Sequence, residues 1–486
     1  MKTKIKGRYI VGYDESRGSH VIIPDGEVVI EDNQILFTGK AYEDPVDRVI
    51  DRTDCLIMPG LINAHALVDT SIFQYIALDR ERTSSVRSRQ YVLEQTEDAF
   101  DRHKIRDGAR HSMLNMVRGG STTILGMTAG VFKRWNDPDW EPETYMETAV
   151  EMGLRAYLSH SYRTDTSYGV GDTIETLRDE DRGFEGLKKN VDFIERYHGA
   201  FGDTIRGLLM PYTLDTVSPA VLKETRKEAD RLGVGIRMHF AQSDKEIEKI
   251  NREHGKTPVE YLEDLGVLGP RLLLTHALYL AGNHGTPYPD GRELELLAER
   301  DVSVCNCPWI YTFRGGYLNS FSRYGRAGVN MCIGTDTFPM DMIREMRWAA
   351  IMSKVADQSD TSGTAREVFD AATLNAARYL ERDDLGRLAP GAKADIVAVD
   401  LERFNVAPIE DPIKNLVYFA SADQVRTVIV DGEVVVDDFR SLRVDEAESV
   451  ARVQPVSDHI KTVFHRWDDE AGRERMEFPW SYPVME

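Results

Sequence analysis

Four apolar runs each deliver a side chain able to hold a metal ion. LIMPGLINAH brings His65, GIRMHFA brings His239, RLLLTHA brings His276 and NMCIGTD brings Asp336. Imidazole nitrogens and a carboxylate are the usual ligands of catalytic zinc, with one position left open for water. An apolar strand that stops at such a residue is the pattern of a buried parallel strand reaching a catalytic rim. Three histidines and an aspartate on four separate strands can meet only if the strands close into one barrel. The chemistry this implies is hydrolysis. The ion lowers the pKa of a water toward ~7, Asp336 binds the ion and takes the water's proton, and His276 holds the water, polarises the substrate or joins the metal shell.

The elements that must position these residues recur along the chain. TTILGM (122–127), LRAYLSH (154–160), IRGLLMPY (205–212) and DVSVCNCP (301–308) have the same character and bring the runs to eight. Helical stretches such as PAVLKETRKEADRLG (219–233) and TPVEYLEDLG (257–266) separate them. Strand alternating with helix eight times predicts an α/β fold, a (β/α)₈ TIM barrel, whose site lies at the C-terminal strand ends. His160, Tyr212 and Asn306 also fall at such ends, and with Gln242, Trp309 and Tyr311 they are the candidate substrate-binding residues. The other eight histidines, from His20 to His465, lie in polar contexts and read as solvated.

At 486 residues the chain exceeds the ~250 that a barrel needs. The ends supply the rest. Residues 1–58 and 381–440 contain alternating strands, with a hairpin signal at Asp431-Gly432. They predict one small β-sandwich built from both termini around a barrel at 59–380. Residues 441–486 read as a helix and a tail whose Trp480 and Tyr482 should pack on the barrel or on another subunit, which predicts a homo-oligomer. A net charge of −21 argues against nucleic acid or an anionic membrane as partner and leaves a small-molecule substrate. With no long apolar run or leader pattern, the expected location is the cytoplasm. The four cysteines do not suggest a disulfide framework and are not read as ligands. The loop at 67–105 is placed to cover the site. Its Arg80, Arg82 and Arg87 read as a solvated face, with contact to an acidic substrate as the alternative.

Taken in order, MPGLINAH, MHFAQSDKEIE, LLTHALYL, NCPWIY and CIGTDTFPMDMIREMR make the chain resemble the amidohydrolase superfamily. The similarity is to the branch of triazine hydrolases and guanine- or cytosine-type deaminases. It extends over roughly 8–438, through AREVFDAATLNAARYL and GRLAPGAKADIVAVD. The resemblance implies a barrel metal centre at His65, His239, His276 and Asp336.

Three departures refine that expectation. The family's His-x-His is here His65-Ala66-Leu67, so either His65 is the sole ligand of its strand or Asn63 joins it. An Asn-x-His arrangement is similar to that of mononuclear phenylurea and thiocarbamate hydrolases. The family's His-x-x-Glu is here His239-Phe240-Ala241-Gln242, and glutamine cannot act as a general acid. The fourth run has no lysine to bridge two ions. The chain is therefore expected to hold one divalent ion, zinc first with iron, cobalt or manganese as alternatives. It should cleave a C–N or C–S bond of a small amide, urea, carbamate or thiocarbamate. The alternatives are deamination of an N-heterocycle, a repurposed decarboxylase or lyase, and a non-catalytic relative.

Overall fold

The computed structural model describes residues 1–68, 87–94, 99–128, 133–170, 173–312, 314–467 and 480–485. Arg80 and Arg82, the side chain of Arg87, and much of the loop expected to cover the site lie outside the described residues.

All eight apolar runs form strands. Leu61–Leu67, Ser121–Met127, Arg155–Leu158 and Ile205–Gly207 form one parallel arc, and Ile236–Phe240, Leu272–His276, Ser303–Asn306 and Asn330–Ile333 form another. The arcs touch at both margins through parallel bridges, Leu209 with Ile236 and Ala66 with Asp336. The expected helices arise for local reasons. Pro219–Leu232 starts at the Ser218 N-cap with proline in its first turn and stops at left-handed Gly233. Pro258–Asp264 opens on a capping box between Thr257 and Glu260.

The termini share one eight-stranded sheet. Lys2–Asp14 pairs with Ser19–Glu31 and with Arg48–Pro59, and Arg48–Pro59 pairs with Ile396–Asp400 from the other end of the chain. Asp431 and Gly432 form the hairpin turn between Val425–Val430 and Glu433–Asp437, both at positive φ, 48° and 84°. Gly432 has no substitute there, because a Cβ would lie 2.0 Å from the carbonyl oxygen of Asp32. Arg155, fully buried at the start of its strand, joins the arcs to this sheet through Asp395 (3.2 Å) and Asp431 (3.0 Å).

Two further features lie outside the two arcs. The chain beyond Arg155–Leu158 leaves the arc in an antiparallel hairpin, Asp165–Val170 with Thr173–Arg178. The helix Glu446–Trp467 packs on Arg102–Arg118, with Arg118 2.8 Å from Glu446. Trp480 and Tyr482 are exposed among the described residues, at 80% and 82%. No described helix is long and apolar enough to cross a membrane.

Candidate metal centre

Regular alternation does not by itself bring the four candidate ligands together. Ile62, Ala64 and Leu67 share the inner apolar cluster, a spacing that an unbroken strand forbids. The ladder to Ser121–Met127 loses register between Asn63 and Ala66. Such a bulge re-aims the side chains beyond it, and His65 turns inward with Leu67. On Leu272–His276, Leu273 faces the inner cluster while Leu272 and Leu274 face the outer one. An unbroken pleat would therefore turn His276 outward. It has φ 82° instead, followed by Ala277 at 49°; Ala241 and Asp336 share the left-handed region at 46° and 56°. Strain of this kind in non-glycine residues concentrates at functional sites. The first and eighth strands come so close that only glycine fits at Gly334, where a Cβ would lie 2.6 Å from the His65 backbone nitrogen.

The result is a compact cluster. Ring centroids of His65 and His239 are 4.9 Å apart, and each lies 5.5 Å from that of His276. Asp336 Oδ2 is 3.3 Å from His276 Nε2 and 3.8 Å from His65 Nε2. Ligand atoms of His65, His239 and His276 lie within 4.8 Å of one another, and so do those of His276, Cys307 and Asp336. His239 donates Nδ1–H to the Tyr212 carbonyl at 2.7 Å, which leaves its Nε2 lone pair for a ligand. Both ring nitrogens of His65 and of His276 are buried with no hydrogen-bond partner among the described residues. Buried polar atoms are nearly always paired, so orphaned nitrogens converging on one point fit a divalent ion.

The electrostatics agree. Burial holds His65 and His276 well below the ordinary histidine range and His239 at about 4, so all three are neutral lone-pair donors. Burial raises Asp336 to about 7, against the opposing charges of Arg314 and Arg237. A carboxyl in that range can take a proton and return it near neutral pH.

The other expected site residues divide. Tyr212 packs edge-on against His239 at 5.2 Å, and Tyr311 lies 4.8 Å from His276 and donates its hydroxyl to Gln242 Oε1 at 3.0 Å. Asn63 is not placed as a ligand: the bulge separates its phase from that of His65. Its amide braces Thr335 instead, donating to Oγ1 at 2.8 Å and accepting from the backbone N–H at 3.1 Å. His160 lies beyond the end of its strand and faces Phe193 and Asp137 rather than the cluster. Trp309 packs on Trp348, with its backbone N–H held by buried Glu345. Asn306 is buried out of phase with its neighbours, and Cys307 takes the place by His276 and Asp336.

Sequence reasoning missed Cys307, although residues two apart on a strand share a face and Cys305 is also inward. It also missed Glu246, which accepts the backbone N–H groups of Ala241 and Gln242 at 2.8 and 2.9 Å and so holds the strained turn after His239. Arg237 was readable as a charge inside an apolar run. Its guanidinium is fully buried one pleat below His239 and donates to the carbonyls of Leu125 and Gly126.

A family model, that of the amidohydrolase family, matches residues 56–435. The chain belongs to the amidohydrolase family. This amidohydrolase is 30% identical over 466 residues to a 5'-deoxyadenosine deaminase of Methanosarcina barkeri, covering 94% of this chain and 98% of the relative. It is 31% identical to a 5-methylthioadenosine/S-adenosylhomocysteine deaminase of Thermococcus sibiricus over 90% of this chain and 94% of that one. Two solved structures share its fold. An adenosine deaminase from Xanthomonas campestris with bound zinc superposes with a TM-score of 0.77 at 24% identity, covering 95% and 98% of the two chains. A Glu-to-Gln variant of atrazine chlorohydrolase from Arthrobacter aurescens, complexed with zinc and atraton, does so with 0.78 at 24% identity, covering 94% and 100%.

Proposed function

We propose that this metal-dependent amidohydrolase is a hydrolytic deaminase of an aminated N-heterocycle, with adenine-type nucleosides first. The observation that carries the reading is the cluster of His65, His239, His276 and Asp336 with its orphaned nitrogens. It sits in a chain that aligns almost end to end with deaminases of adenosine derivatives. The alignment favours deamination over the amide, urea, carbamate or thiocarbamate cleavage that Gln242 alone suggests. In this reading the two arcs form one closed (β/α)₈ barrel and the terminal strands a small β-domain. The barrel holds one ion, zinc, and the exposed tail joins copies into a homo-oligomer.

The residues present can do this chemistry. A divalent ion held by His65, His239, His276 and Asp336 would supply Lewis acidity and a water that ionises near neutral pH. Asp336 accepts the water's proton and passes it to the departing amine. His276, whose Nε2 is 3.3 Å from Asp336 Oδ2, would share the ion with that carboxylate. Tyr311 engages the carbonyl oxygen of Gln242, which leaves the amide NH₂ to donate to the substrate. Such a donor suits a ring nitrogen or a carbonyl equally, and this keeps urea or carbamate hydrolysis as the second reading.

Ammonia release from adenosine, 5'-deoxyadenosine, 5'-methylthioadenosine, S-adenosylhomocysteine and aminated triazines tests the proposal, with ureas and carbamates assayed in parallel on zinc-loaded protein. Turnover confined to ureas or carbamates would move the assignment to the second reading.

A further inference from the structure

We propose that Cys307 is a ligand of the metal ion and takes over the coordination that Leu67 cannot supply. The proposal rests on the metal-centre reading above and concerns the composition of its shell.

Three observations meet at this residue. The strand Ser303–Asn306 turns Cys305 and Cys307 to the barrel interior, and Cys307 lies one step beyond the strand, at the level of the cluster. Its Sγ forms a group with a ligand atom of His276 and one of Asp336, all within 4.8 Å. Cys305 and Cys332 pair across the strands and form no such group among the described residues. The buried His276 in this group has both ring nitrogens without a hydrogen-bond partner among the described residues, so the thiol stands beside lone pairs suited to an ion. On the first strand, meanwhile, Leu67 presents only methyl groups to the same interior.

Charge supplies the reason. Arg237 is a fully buried cation beneath His239 and makes no ion pair among the described residues. A divalent ion beside it, balanced by Asp336 alone, would leave excess positive charge in a medium that solvates charge poorly. Coordination by Cys307 replaces its S–H bond with a sulfur–metal bond and releases the proton to solvent. The resulting thiolate adds a second negative charge where Arg237 and the ion need it. It also makes the site softer, favouring zinc or cobalt over manganese or magnesium.

X-ray absorption of the zinc-loaded protein should show one sulfur at ~2.3 Å beside nitrogen and oxygen at ~2.0–2.2 Å. The cobalt-loaded protein should show a near-ultraviolet thiolate-to-cobalt charge-transfer band that Cys307→Ser abolishes and Cys305→Ala retains. A shell of nitrogen and oxygen alone overturns the proposal while leaving the metal-centre reading intact, as does a band that survives Cys307→Ser. Failure of the protein to take up either ion overturns both. If Cys307→Ser does not fold, the sulfur shell of the unsubstituted protein decides alone.

Discussion

The roles proposed for Asp336, as proton acceptor, and for Gln242, as orienting donor, can each be tested alone. Asp336 is buried, raised to about 7 and in contact with His276. Asp336→Asn should fold and yet lose at least ~10²-fold in kcat, the usual scale for a lost general base. Near-normal turnover in that variant would remove Asp336 from the mechanism. Gln242 can orient a ring nitrogen but cannot protonate it, so Gln242→Glu should increase ammonia release from an aminated heterocycle. An unchanged rate would mean that the site needs no acid there. Tyr311→Phe frees the Gln242 carbonyl and should raise KM by roughly fivefold, the equivalent of a neutral hydrogen bond of ~1 kcal/mol, with kcat little changed.

Between elements, two buried contacts tie the terminal sheet to the rest of the molecule. Arg155 reaches Asp395 and Asp431 from its strand in the arc. Arg155→Met leaves two carboxylates without their partner and should cost about 3–5 kcal/mol in chemical denaturation. A loss under about 1 kcal/mol would show that the two units are held by other contacts. His20 is not solvated as expected: it packs edge-on against Phe369 at 5.2 Å and hydrogen-bonds Thr373 at 3.1 Å. Burial lowers it from 6.5 to about 4. The unfolded chain therefore takes up this proton first. Its contribution is fully present above pH 6.5 and is lost as pH falls through about 4, on the order of 3 kcal/mol in all. His20→Asn should flatten the stability profile across that window; an unaltered profile would place the acid sensitivity elsewhere.

For the whole molecule the ion should be a stabiliser as well as a reagent. A ligand that binds only the folded chain stabilises it by about 4 kcal/mol at a thousandfold excess over Kd. Chelation should therefore lower Tm, abolish turnover and release at most one ion per chain. Two ions per chain, or a Tm indifferent to chelator, would contradict the mononuclear centre. The exposed Trp480 and Tyr482 belong to the proposed interface between copies. Light scattering should report a dimer or larger species, and truncation before Trp480 should shift it toward monomer. A monomeric full-length chain would remove that role from the tail.

Much of this protein follows from one dimension. Each strand of the two arcs is buried on both faces, so the eight runs are apolar throughout and stand out whatever their partners. The polar residues that interrupt their ends, His65, His239, His276 and Asp336, stand out for the same reason. Caps and turns are equally local: Ser218 before Pro219, Thr257 with Glu260, and Asp431-Gly432 each act within a few residues. The facing of side chains at the strand ends is not local. It depends on the bulge that separates Asn63 from His65 and on the left-handed backbone at His276. It depends too on the close approach at Gly334, which brings the first and eighth strands together. Those features arise from contacts between strands far apart in sequence, and they decided that Cys307 stands beside His276 and Asp336 while the Asn63 side chain braces Thr335.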